Sequence, residues 1–157
     1  MKGYIGEYYC KLDSKNRFLF PMGLKKQLPA AEEYRFVINR GFEQCISLSL
    51  YESWQKTIND FEALSTYDED ERLFLRYFHR GATEVTLDGT NRLLIPKSLL
   101  TYAEIDKDIV ISAYFDKIEI WNKDKYESVL DNMPKSYSAL AQLAMGKKDR
   151  KNQDDLS

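Results

Sequence analysis

Leu12-Asp13-Ser14-Lys15-Asn16-Arg17-Phe18-Leu19-Phe20-Pro21 returns 75 residues later as Leu87-Asp88-Gly89-Thr90-Asn91-Arg92-Leu93-Leu94-Ile95-Pro96. Leu, Asp, Asn, Arg, Leu and Pro recur as identities, and Gly6/Gly81 and Leu24/Leu99 keep the same offset. An internal repeat of this kind is one supersecondary unit used twice. The fold is therefore expected to be pseudo-symmetric, with any site built on the repeat present in two copies. Since Asp, Asn and Arg are preserved along with the apolar residues, the repeat keeps a charged loop as well as a core.

Apolar runs on either side of a polar insert read locally as strand, tight loop, strand. Tyr4, Tyr8, Tyr9, Cys10 and Leu12 lead into the first loop and Phe18 to Phe20 lead out; Thr83 to Leu87 and Leu93 to Ile95 do the same in the second copy. Asn16 and Asn91 stand where a turn needs positive φ, which Asn tolerates better than most side chains. Pro21 and Pro96 stop the exit strands, because proline has no N–H for a ladder, and short amphipathic pieces follow at Leu24–Leu28 and Leu99–Ala103. Each half continues with a second hairpin, Phe36–Ile38 with Cys45–Leu50 and Ile109–Ile111 with Ile118–Trp121. Helices are expected at Tyr51–Leu64 and Lys123–Met133.

The first half carries one extra element, Asp68–Arg80. It opens with acids and then places Leu73, Phe74, Tyr77 and Phe78 at helical spacing. Acids at a helix start favour its dipole, so they read as a solvated capping turn. A last helix is expected at Lys135–Met145. Residues 146–157 have almost no apolar content and read as a disordered polar tail. By sequence the chain divides into a first repeat with extra helices (1–80), a second repeat (81–133), and a C-terminal helix and tail (134–157).

A chain of 157 residues has enough length to bury a core. It has no apolar run approaching the roughly 18 residues of a membrane span and no signal-peptide pattern, so a soluble protein without a membrane partner is expected. Cys10 and Cys45 lie in apolar strand contexts without a second Cys or His at ligand spacing, which makes them core residues and leaves no metal site or cofactor. His79 is the single histidine, at a helix end and without a nucleophile elbow, so hydrolase chemistry is not indicated.

The net charge of -2 does not by itself point to nucleic acid, but residues 1–40 set eight Lys and Arg against four acids, leaving the remainder acidic. Such asymmetry is compatible with one basic binding face. The loop is more specific. An Asp and an Arg four positions apart across a tight turn can bond to each other or to the turn backbone, orienting the guanidinium without committing all its donors. An arginine held this way suits a phosphate or the major-groove edge of guanine. Equally, the pair can staple the turn or bridge the two halves.

Tyr4-Ile5-Gly6-Glu7-Tyr8, the paired Asp-x-x-x-Arg loops with their Leu-Phe/Ile-Pro exits, Asn39-Arg40-Gly41-Phe42 and Ile118-Glu119-Ile120-Trp121 together resemble the MraZ family of bacterial transcriptional regulators. The resemblance spans roughly residues 3–132. It implies an α+β fold of two pseudo-symmetric swapped-hairpin β-barrel halves of the AbrB type with flanking helices. It further implies a ring-shaped homo-oligomer in the cytoplasm, associated with the nucleoid. The implied partner is double-stranded promoter DNA, bound at short direct repeats upstream of the division and cell-wall gene cluster.

On the same resemblance the DNA-binding residues are Asp13, Lys15, Asn16, Arg17, Asp88, Asn91 and Arg92. Arg17 and Arg92 read or anchor, Lys15 contacts phosphate, and the two aspartates orient the arginines. Two departures stand out. Asn16 and Asn91 replace a glycine frequent before the Arg, and Gly89-Thr90-Asn91 lacks a central lysine, which weakens the second loop electrostatically. An AbrB-like antitoxin or protein-interaction module is the alternative, although the polar tail offers few apolar anchors for a groove. An enzyme is not expected, since no second acid at catalytic spacing and no phosphate-binding glycine loop accompany the Asp–Arg pair.

Overall fold

The computed structural model describes residues 3–156. It is α+β, with strands β1 Tyr4–Lys11, β2 Arg17–Leu19, β3 Arg35–Arg40, β4 Ile46–Leu50, β5 Thr83–Thr86, β6 Arg92–Leu94, β7 Asp108–Phe115 and β8 Lys117–Asn122. The helices are α1 Met22–Lys25, α2 Tyr51–Asp60, α3 Glu69–His79, α4 Lys97–Tyr102, α5 Lys123–Asp131 and α6 Tyr137–Leu156. Two compact units divide between Tyr126 and Glu127. Among the described residues no helix is long and apolar enough to cross a membrane.

The first unit holds a six-stranded antiparallel sheet in the order β1-β7-β8-β4-β3-β5 and a two-stranded ribbon, β2-β6. Exchanging β1 with β5, β2 with β6, β3 with β7 and β4 with β8 turns the sheet order into its own reverse. The sequence repeat is thus a structural two-fold. The local strand–loop–strand expectation needs correcting, because β1 and β2 form no ladder with each other. Instead β1 pairs with β7, β3 with β5, and β2 with β6, so strands of one half complete the other. These are the swapped halves the resemblance implied. The ladder runs open from β1 to β5 and does not close into a barrel.

Burial explains the exchange. Phe18, Phe20, Leu24 and Phe36 from the first repeat and Leu93, Ile95, Leu99 and Ile111 from the second share one core, each essentially inaccessible. At roughly 1.5–3 kcal/mol for each such side chain removed from water, a half with its inner face uncovered would forfeit much of its stability. The two repeats therefore bury each other. Along β1 the alternation leaves Ile5 and Tyr9 exposed while Tyr8 and Cys10 pack against the core. Gln27 reaches that edge strand, its Oε1 accepting from Ile5 N at 2.9 Å and its Nε2 donating to Ile5 O at 2.7 Å. A side-chain amide thus occupies an edge position that another strand could otherwise pair with.

The element restricted to the first half breaks the symmetry. Asp68 caps α3, its carboxylate accepting from Glu71 N at 2.9 Å, as the acidic run predicts. Phe78 of α3 stacks on Trp54 of α2 at 5.2 Å, and Asn39, buried in β3, donates to Phe78 O at 3.3 Å. His79 is part of this packing, with its ring edge-on to Trp54 and Nδ1 2.8 Å from Leu75 O. Both cysteines are free thiols, Cys45 buried and Cys10 half-buried.

In the second unit α6 continues to Leu156, past the Met145 boundary and through residues expected to be a disordered tail. Ser136 Oγ accepts from Ala139 N at 3.2 Å, providing its start. In the polar stretch Lys147, Lys148, Arg150, Lys151 and Gln153 are straight-chain residues that lose little rotamer freedom in a helix. Low apolar content therefore argued against burial, not against helix.

Candidate nucleic-acid interface

The two repeated loops flank opposite ends of the β2–β6 ribbon. Ile95 N donates to Asn16 O at 2.9 Å, and the pseudo-symmetric Phe20 N donates to Asn91 O at 2.8 Å. Asn16 and Asn91 have φ of 60° and 61°, the left-handed conformation expected of them. Each loop is closed by its aspartate. Asp13 N donates to Arg17 O at 2.8 Å and Asn16 N to Asp13 O at 3.1 Å; the corresponding bonds in the second loop, Asp88 N to Arg92 O and Asn91 N to Asp88 O, are both 3.0 Å.

The carboxylates repeat this role with their side chains. Asp13 Oδ1 accepts from Lys15 N at 2.9 Å and Arg17 N at 3.0 Å. Asp88 Oδ1 accepts from Thr90 N at 2.8 Å, Thr90 Oγ1 at 2.7 Å and Arg92 N at 2.9 Å. Hydrogen bonds to the charged form favour it. The Arg17 N–H, helped by the Lys15 N–H and the Arg17 guanidinium, holds the Asp13 carboxyl below its ordinary range. The Arg92 N–H and the Thr90 hydroxyl do the same for Asp88.

Strand alternation decides what the ribbon presents. Phe18 and Leu93 face each other across it and are fully buried, whereas Leu19 and Leu94 are 52% and 48% exposed. Arg17 and Leu19 on one strand and Arg92 and Leu94 on the other therefore share the outward face. The register sets Arg17 opposite Leu94 and Leu19 opposite Arg92, so the arginines occupy diagonal corners, roughly 7 Å apart along the strands.

The two arginines are not held alike. Arg17 Nε lies 3.2 Å from Asp13 Oδ2, while its Nη1 lies 3.7 Å from Asp88 Oδ2. Asp13 thus orients Arg17 as expected, and the same guanidinium bridges the two halves. Asp88, by contrast, does not orient the side chain of Arg92; among the described residues no ion pair holds that guanidinium. The cause is local, since Thr90 occupies Asp88 Oδ1 and Arg17 reaches Oδ2 from across the ribbon. Lys15 is exposed at the tip of its loop.

One neighbour was absent from the sequence-derived set. Lys25 Nζ of α1 lies 2.6 Å from Asn91 Oδ1, bringing a first-half lysine to the second-half loop. Comparing the repeats beyond Pro21 and Pro96 supplies the available signal, for at the offset of 75 Lys25 corresponds to the buried Leu100.

Comparison with known proteins agrees with this duplicated geometry. A family model described as "MraZ protein, putative antitoxin-like" matches twice in tandem, over residues 4–77 and 78–147. A protein of Christiangramia forsetii named Transcriptional regulator MraZ is 39% identical over 150 residues, covering 95% of this chain and 97% of its own length. Proteins of the same name from Flavobacterium psychrophilum and Clostridium tetani are 38% and 35% identical, covering 93% and 82% of this chain and 94% and 87% of their own lengths. With the family model matched over both repeats and relatives aligned over nearly their full lengths, the chain belongs to the MraZ family.

Proposed function

We propose that this protein is a DNA-binding transcriptional regulator that lays its β2–β6 ribbon in the major groove. The observation that carries the proposal is the pair Arg17 and Arg92 on the outward face of a two-stranded antiparallel ribbon. A major groove admits such a ribbon, and arginine is the commonest reader of guanine there. Their separation along the strands corresponds to about two base-pair steps of 3.4 Å. Asp13 and Asp88 set the loop backbones, Asn16 and Asn91 supply the left-handed turn residues, and Lys15 neutralises phosphate.

One ribbon makes few contacts, and affinity for DNA grows with the number of phosphates neutralised. Several protomers in a ring, each engaging a successive short direct repeat, multiply weak contacts through effective concentration. The family membership supports this protein's own upstream region, in the division and cell-wall gene cluster, as the target, with the protein acting in the cytoplasm on nucleoid DNA and without catalysis. An antitoxin-like role is the second reading, favoured by the exposed Tyr137, Leu140, Leu143 and Met145 on α6 as anchors for a protein partner.

Fluorescence-anisotropy titration against the upstream DNA and a shuffled duplex, across a salt series, separates the two. Tighter binding to the upstream duplex is expected. Equal, weak binding to both would move the function to the protein-interaction reading.

A further inference from the structure

We infer that Lys25 is the phosphate-contacting cation of the second loop, supplied from the first half of the chain. The inference rests on the reading of the ribbon as a DNA-binding surface. It begins with two complementary replacements between the repeats. Where the first loop has Lys15 the second has Thr90, and where α1 has Lys25 the pseudo-symmetric α4 has Leu100. One aspartate against a lysine and an arginine leaves the first loop at +1, whereas one aspartate against Arg92 leaves the second neutral. Lys25 restores the second to the same charge.

The geometry places that charge where it is missing. Lys25 Nζ donates at 2.6 Å to Oδ1 of Asn91, the left-handed residue preceding Arg92, and lies 5.4 Å from the centre of the Tyr34 ring. The side chain is half-buried, yet among the described residues no carboxylate forms an ion pair with it. An ammonium has three donors, and Asn91 takes one. Partly desolvated charge is costly without a counter-charge, so the arrangement suits an anion that arrives from outside. Leu100, 7% exposed and packed in the core, offers the first loop nothing comparable, and there Lys15 serves. Each loop thus has one lysine and one arginine by different routes.

The test uses the full-length protein on its upstream duplex, with wild type, Lys25→Met, and Lys25→Met combined with Thr90→Lys titrated across a salt series. Lys25→Met is expected to reduce the slope of log affinity against log salt by about 0.9 per engaged protomer and to weaken upstream and shuffled duplexes alike. Thr90→Lys is expected to restore the slope, because it returns a cation to the loop without touching Asn91. An unchanged slope in Lys25→Met overturns the inference. Lost affinity that Thr90→Lys fails to restore also overturns it, leaving Lys25 only as a support for Asn91.

Amine-reactive acetylation of wild type, read by mass spectrometry, gives a check that needs no variant: Lys25 is expected to be protected by bound DNA, and equal labelling with and without DNA refutes the contact. Upstream DNA bound normally with Lys25 unprotected defeats this inference alone. Absence of any salt-dependent binding by wild type defeats the ribbon reading with it.

Discussion

Replacing Arg17 or Arg92 by alanine should give unequal losses of DNA binding, although the two residues hold the same place in the repeat. Either substitution removes one bidentate-capable guanidinium from the ribbon face, about 1–3 kcal/mol of discrimination per base contact. In dissociation constant that is roughly 5- to 150-fold for each engaged ribbon. Arg17→Ala does more. Its guanidinium lies 3.2 Å from Asp13 and 3.7 Å from Asp88, so its removal leaves two carboxylates uncovered on the face proposed to meet phosphate.

Arg92 has no such partners among the described residues, and its loss uncovers no acid. Arg17→Ala is therefore expected to weaken binding several-fold more than Arg92→Ala, measured by anisotropy at one fixed salt concentration. Stability should discriminate this effect from unfolding. Half-exposed ion pairs contribute little to folding, so both variants should melt within about 4 °C of wild type, the shift that roughly 1 kcal/mol produces in a chain of this length. Equal losses, or a larger loss for Arg92→Ala, would refute the argument from the uncovered carboxylates.

Phe18→Ala tests the ribbon's attachment to the core: the ring is fully buried opposite Leu93, and its removal should cost about 3–5 kcal/mol. By the same scaling the melting temperature should fall by roughly 6–20 °C, and a circular-dichroism melt shifted by less than 4 °C would show that the ribbon is not packed as described. The pH dependence of the loops follows from the lowered carboxyls of Asp13 and Asp88. A depressed folded pKa gives stabilisation that is fully present above the unfolded value of about 3.9 and is lost as pH falls through the folded one. The Lys15 and Thr90 amide resonances should accordingly hold their positions from neutral pH down to about 5, and a titration midpoint above 4 would contradict the loop hydrogen bonds.

The loops were the most legible part of the sequence because their determinants are local. An aspartate that bonds amides two and four residues ahead, an asparagine that accepts φ near 60° and a proline that ends the strand act within one short segment. The α3 cap and the second hairpin of each half were legible for the same reason. The polar part of α6 was not, because low apolar content reports only an absence of burial and the helix preference of its Lys, Arg and Gln residues is a weak signal.

By itself, then, the sequence determined a duplicated unit with two Asp-x-x-x-Arg loops. The tertiary structure alone decided that β2 pairs with β6 and β1 with β7, that Arg17 reaches Asp88, and that Lys25 meets Asn91 across 66 positions. Alternation shows that a segment is a strand and which face it buries. Backbone hydrogen bonds look the same whichever strand supplies them, so the choice of partner falls to whichever pairing closes the shared core.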